Sequence, residues 1–163
     1  DGGVPAHVAA IIGRARARGK LGRCSLHRRG RILPRVSQPE IVEVRARDGV
    51  RLHTELWRPS GAPTFVVVIV HGGAEHVGRY ARLAAELNAI GGLVLGPDHR
   101  GAGRSGGAPG HVESFEQYAD DLLLVMREHA AKLDAASQPD ALPWFLWGHS
   151  MGGLITLGDR KSV

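Results

Sequence analysis

The stretch Trp144-Phe145-Leu146-Trp147-Gly148-His149-Ser150-Met151-Gly152-Gly153 decides the fold. Its first four residues are apolar without alternation, which suits a parallel strand buried on both faces. The next five fit Gly-x-Ser-x-Gly, and Leu154-Ile155-Thr156-Leu157 then begins an apolar helix. A strand that turns directly into a helix holds the residue at the turn in a strained backbone conformation. Side chains at the two flanking positions would meet the turn, which explains Gly148 and Gly152 as elbow residues. The Ser150 hydroxyl then projects above the sheet at a helix N-terminus, where the backbone potential favours developing negative charge. Ser150 is therefore the candidate nucleophile. The backbone N–H of Met151, the next residue, is a candidate oxyanion donor. A chain with 23 glycines produces this five-residue pattern by chance now and then. The strand before it and the helix after it are the context the pattern requires.

Working outward, Phe65-Val66-Val67-Val68-Ile69-Val70 is a second apolar run that reads as a buried parallel strand. His71-Gly72-Gly73 follows at once, and a loop in that place supplies the other oxyanion N–H, here Gly73. Residues 78–87 carry Tyr80, Leu83, Ala84 and Leu87 at helical spacing. Leu93-Val94-Leu95 is another buried strand, ending at Pro97-Asp98. A Gly-rich loop runs through Arg100-Gly101-Ala102-Gly103-Arg104-Ser105-Gly106-Gly107. Ser114 reads as a helix N-cap with Gln117 as its capping-box partner. The helix it starts puts Phe115, Ala119, Leu122, Val125, Met126, Ala130 and Leu133 on one face as far as about Ala136, and Ser137-Gln138-Pro139-Asp140 ends it. Upstream, two alternating runs, 41–45 and 51–57, flank Asp48-Gly49 and read as a β-hairpin. Strands alternating with helices give an α/β class, with a mostly parallel sheet and an N-terminal β-hairpin.

Three of these segments carry a resemblance. His71-Gly72-Gly73-Ala74-Glu75-His76-Val77-Gly78-Arg79-Tyr80 resembles the His-Gly-x-x-Glu-His-x-x-Arg-Tyr signature of the monoacylglycerol lipase and lysophospholipase family, whose members have a serine aminopeptidase-like hydrolase domain. Asp98-His99-Arg100-Gly101-Ala102-Gly103-Arg104-Ser105 is similar to that family's Asp-x-Arg-Gly-x-Gly-x-Ser loop, and the Ser150 elbow matches as well. The likeness covers roughly residues 41–157, in the form seen in plant and algal members, caffeoylshikimate esterase-like proteins among them. It implies an α/β-hydrolase fold, with Ser150 as nucleophile and Gly73 and Met151 as oxyanion donors. It also implies ester substrates, acyl chains on glycerol, glycerophospholipid or a related small alcohol, with no cofactor and no metal. Glu75 and His76 are expected to brace the oxyanion loop beside His71 and Gly72. Asp98 and Arg100 are expected to order their own loop. His149 is not expected to act as the base, because adjacent side chains diverge at such a turn.

A serine needs a general base, and the base needs an orienting carboxylate. In this fold they follow the nucleophile in the order acid, then histidine. After Ser150 there is one acid, Asp159, on the helix that leaves the nucleophile, and no histidine. The triad is therefore expected to be incomplete and the chain to be the N-terminal part of a domain, inactive as it stands. The 144–147 strand is then expected to form a bare apolar edge, prone to aggregation. A non-catalytic product or pseudoenzyme acting as an interaction module is the alternative. The elbow also serves peptidases, acyltransferases and haloperoxidases, since fold alone does not fix chemistry.

The net charge of +5 is unevenly placed. Residues 1–40 hold nine Lys/Arg against two acids, and residues 41–163 hold twelve against fourteen. The first forty residues read as a basic tail, expected to be disordered, with organelle import or an anionic surface as the functional readings. The hydrolase part is then 41–163. Without interleaved aromatics, that tail gives no support to nucleic-acid binding. The lone Cys24 makes no internal disulfide and is expected to have no role. No apolar run reaches the ~18 residues of a membrane span, so a cytoplasmic or peripheral-membrane location is expected. The oligomeric state is left open.

Overall fold

The computed structural model describes residues 36–136 and 142–158. The expectations for the basic segment and Cys24, for the helix end at 137–140, for the Leu133 side chain and for Asp159 lie outside the described residues. Five strands form one sheet in the order β1-β2-β4-β3-β5. Strands β1 (Glu40–Arg45) and β2 (Arg51–Trp57) make the expected hairpin. Gly49 takes φ 85° at its turn, where Asp48 Oδ1 accepts the Val50 N–H at 3.1 Å. Strand β2 pairs antiparallel with β4 (Gly92–Pro97), β4 pairs parallel with β3 (Phe65–Val70), and β3 pairs parallel with β5 (Trp144–Gly148). Two reversals cancel, so β1 runs with the parallel strands and β2 alone runs against them.

Strand β3 shows why the sequence folds this way. Its β-branched run favours extended backbone, and alternation sends successive side chains to opposite faces. Val66, Val68 and Val70 enter one core with Leu93, Leu95 and Leu56. Helix α2 (Glu116–Ala136) covers that core through Leu122, Val125 and Met126, and α3 (Met151–Gly158) adds Ile155. Val67 and Ile69 enter the other core with Trp57, Val94 and Val77, covered by α1 (Ala81–Asn88) through Ala84. Helices on both faces explain the lack of alternation in β3 and β4.

Several boundaries differ from expectation. The segment expected to be helical over 78–87 is a 3-10 turn, Val77–Tyr80, followed by α1. The Val77 N–H is taken by Asp98 Oδ1 at 2.7 Å, which pins the start of the turn. Helix α2 begins at Glu116, and Gln117 Oε1 accepts the Glu113 N–H at 3.0 Å, one residue before the expected Ser114 cap. Phe115 therefore precedes the helix and stands exposed rather than joining its buried face. Strand β2 does not alternate either and is buried from Leu52 to Trp57. It is flanked by strands on both sides, and the loop after β4 crosses it, with the His53 N–H donating to Ser105 Oγ at 2.9 Å. At the far edge of the sheet, β5 buries Trp144 but exposes Phe145 and Trp147, so it is not buried on both faces.

Candidate active site

The parallel strands β3, β4 and β5 end on the same side of the sheet, and the site is built where they stop. Val70 pairs with Gly148, and the His149 N–H donates to Val70 O at 3.1 Å, so the end of β5 is fixed against the end of β3. The chain then enters α3 through Ser150, whose φ is 51°. This is the left-handed region that a side chain with a Cβ disfavours. The turn is held by Gly152 N–H to His149 O at 2.8 Å and Gly153 N–H to Ser150 O at 2.9 Å. A Cβ on Gly148 would stand 2.6 Å from Gly152 O, and one on Gly152 would overlap Val70 O. Both obstacles are backbone atoms that cannot step aside. Space therefore requires both elbow glycines, and Ser150 keeps its side chain at the cost of backbone strain.

The loop after β3 lies beside this elbow. A Cβ on Gly73 would lie 3.8 Å from Met151 Sδ, in van der Waals contact, so Gly73 and Met151 are neighbours. Ala74 follows at φ 56°. A Cβ on Gly72 would stand 3.0 Å from His149 Nδ1 and 3.3 Å from Glu75 Oε1. Glu75 Oε1 lies 3.2 Å from His149 Nδ1, and Tyr80 donates its hydroxyl to Glu75 Oε2 at 2.5 Å. The Tyr80 bond is the main cause that holds the Glu75 carboxyl below the usual carboxylate range. Burial, together with that carboxylate, pushes the Tyr80 hydroxyl up to about 12. Tyr80 also meets Trp147 edge-on, with ring centroids 5.2 Å apart. Glu75 thus ties the loop to the elbow, whereas His76 is exposed, with its ring beside Gly78 and no side-chain hydrogen bond among the described residues.

Beneath the loop, the imidazole of His71 is fully buried. Its Nε2 accepts the His99 N–H at 3.0 Å, so its proton sits on Nδ1 and is donated to Gly72 O at 2.7 Å. His99 Nε2 donates in turn to His71 O at 2.9 Å. Burial drives both rings toward the neutral form, His99 down to about 4 with His71 as the second cause. The two rings cross-link the end of β3 to the end of β4.

Asp98 and Arg100 organise the loop that closes this side. The Asp98 carboxylate accepts the N–H groups of Val77 and Arg104, both at 2.7 Å, while Ser105 Oγ donates to Asp98 O at 2.7 Å. A Cβ on Gly103 would overlap this carboxylate, which explains the glycine there. Arg100 makes a fork to Asp121 on α2, Nε to Oδ2 at 2.7 Å and Nη2 to Oδ1 at 2.8 Å, and reaches Asp48 through Nη1 at 2.7 Å. These pairs raise its already high pKa further, Asp121 being the main cause. Asp121, Asp48 and Tyr80 escaped the sequence reading as partners, since nothing local marks an acid on α2 as the mate of a loop arginine fifty residues from the elbow.

Ser150 Oγ makes no hydrogen bond among the described residues. No group of three His, Cys, Asp or Glu among them could hold a metal ion. No described helix is long and apolar enough to cross a membrane.

The family model described as serine aminopeptidase, S33, matches residues 61–158. The monoacylglycerol lipase of Mycolicibacterium smegmatis is 41% identical over 107 residues, 66% of this chain and 36% of that protein. Human monoglyceride lipase is 35% identical over 125 residues, 77% of this chain and 38% of its own. The chain thus spans little more than a third of these relatives. Among solved structures, a soluble variant of monoglyceride lipase from Saccharomyces cerevisiae, in complex with a substrate analog, superposes with a TM-score of 0.64 at 26% identity. That match covers 77% of this chain and 40% of the other.

Proposed function

The chain belongs to the serine aminopeptidase, S33, family, with an α/β-hydrolase fold, and from that premise we propose that it carries the nucleophile and oxyanion hole of a serine ester hydrolase. The observation that carries the reading is Ser150 at φ 51°, between two glycines that space requires, at the head of α3 and beside Gly73. A strained serine backbone at a helix start is what a nucleophile elbow needs.

In the proposed reaction a general base takes the Ser150 proton, and Oγ attacks the ester carbonyl carbon. The N–H groups of Gly73 and Met151 stabilise the oxyanion. The alcohol leaves with the proton from the base, and water then hydrolyses the acyl-enzyme at Ser150. Because Ser150 Oγ has no partner among the described residues, the reading assigns the base and its carboxylate to other parts of the protein. Monoacylglycerols or lysophospholipids are the proposed substrates, in keeping with the names of relatives such as monoglyceride lipase and lysophospholipase L2. Such substrates would bring the protein to lipid surfaces from outside, as a peripheral contact.

A fluorophosphonate probe tests this in the whole protein, beside a Ser150→Ala control. Labelling at Ser150, with glycerol release from monooleoylglycerol lost in the control, is the expected result. Hydrolysis undiminished by Ser150→Ala would refute the assignment. A second reading, a non-catalytic interaction module, draws support from the exposed apolar edge of β5. It requires that the whole protein neither label nor hydrolyse.

A further inference from the structure

At the opposite end of the sheet from Ser150 lies a cavity of about 330 Å³ that the proposed chemistry does not use. All five strands contribute residues to its lining, so it lies crosswise over the sheet, within the roughly 19 Å that four inter-strand spacings span. A volume at the small end of ligand pockets, lying across the strands, is a narrow slot. Its floor is apolar: Leu56, Val66, Leu93, Leu95 and Trp144 all line it, and each is at most 7% exposed. Helix α2 roofs it with His129 and Lys132, one turn apart on the same face. From Val66 in its wall, β3 runs about 13 Å before reaching Val70 beside the elbow, so the slot is separate from the nucleophile.

The rim decides what head group fits. Four charges line it, and the two acids are already engaged: Glu40 with Arg58 Nε at 3.0 Å, and Glu43 with Arg51 at 2.5 Å. Lys132 is exposed and makes no ion pair among the described residues. The unmatched charge at the mouth is therefore positive. We infer that this slot binds a single unbranched aliphatic carboxylate, with its chain laid across the sheet under α2 and its carboxylate on Lys132. The site stands whatever Ser150 does. A long-chain acid at this end of the sheet would sit between β1 and α2 and couple the edge hairpin to the helix.

The experiment titrates the whole protein with sodium dodecanoate, below its micelle concentration, by isothermal calorimetry. Dodecan-1-ol serves as the uncharged control. Val42→Trp fills the slot from the edge strand β1, where Val42 is only partly buried and the fold tolerates bulk. It is expected to weaken dodecanoate at least tenfold, while circular dichroism stays that of the parent. Lys132→Ala is expected to weaken dodecanoate about fivefold and to leave dodecanol unchanged. No saturable binding overturns the proposal. Binding untouched by Val42→Trp places the acid elsewhere, the Ser150 cleft included, and overturns it too. Equal loss of dodecanoate and dodecanol in Lys132→Ala removes the carboxylate assignment.

Discussion

Replacing Ser150 with glycine is expected to make the protein more stable while destroying the proposed nucleophile. Ser150 is one of two non-glycine residues at positive φ among the described residues, at 51°. Holding a residue with a Cβ in that region costs about 1–2 kcal/mol. Glycine relieves this strain, but it adds roughly 0.5–1 kcal/mol of unfolded-chain entropy to be lost on folding. The difference leaves about 1 kcal/mol in favour of Ser150→Gly. For a domain of this size that is a rise of about 3 °C in Tm. Ser150→Ala is the necessary control, because it deletes the hydroxyl and keeps the Cβ and hence the strain. Urea unfolding of the three proteins, followed by Trp fluorescence, separates the effects. The expected order is glycine above alanine, with alanine close to serine. If glycine proves no more stable than alanine, the elbow is not strained and the steric reasoning for Ser150 is wrong.

Other outcomes follow from the same contacts. Gly152→Ala should cost about 3 kcal/mol or more, because its Cβ would overlap Val70 O, whereas Gly153→Ala, with nothing nearer than 3.7 Å, should gain up to about 1 kcal/mol; paired urea midpoints check this. Asp121→Ala should destabilise by about 3 kcal/mol, since it leaves the buried Arg100 with only Asp48; loss in excess of the Asp48→Ala change is the reading to look for. His99 has its folded-state pKa lowered to about 4 from 6.5, so the unfolded chain binds more protons as pH falls. Stability should therefore be full above pH 6.5 and decline between 6.5 and about 4, by roughly 3 kcal/mol, with the buried His71 and His129 acting in the same direction. Unfolding free energies that stay flat from pH 7 to pH 4.5 would contradict this. Phe145→Lys, on the exposed edge of β5, should reduce self-association of the 163-residue chain in sedimentation velocity.

Much of this fold was legible because its signals are local. The runs 65–70 and 144–147 announce strands by composition, and the elbow announces its own turn through two glycines, Gly148 forced by the backbone of Gly152 four residues on and Gly152 by the Val70 carbonyl of the neighbouring strand. The hairpin was equally plain from Asp48-Gly49. What stayed hidden depends on distant partners. Strand β2 looked amphipathic, yet its outer face is covered by a loop that begins at Asp98, far along the chain. The start of the segment after β3 shifted because the Asp98 carboxylate claims the Val77 N–H. The motif residues Asp98, Arg100 and Glu75 could be picked out, but not their mates Arg104, Asp121 and Tyr80, since an acid on a helix face looks the same whether it meets water or a guanidinium. The slot under α2 had no sequence signature at all: it arises from five strands contributing one or a few residues each.

The strand order carries a consequence for the chronology of synthesis. Strands β1 to β4 are complete by residue 97 and already pair with one another, so a four-stranded sheet with β3 at its margin can exist before β5 leaves the ribosome. Strand β5 arrives nearly eighty residues after the partner it joins, and closing so long a loop is slow. The turn at Ser150 has local hydrogen bonds of its own, but it is fixed beside the end of β3 only when Gly148 meets Val70 and His149 reaches the Val70 carbonyl. The serine therefore acquires its geometry late, on a template finished earlier. A nascent chain that stalls between β4 and β5 carries β3 with an open edge and no formed elbow, which makes that interval the one in which a chaperone has most to protect.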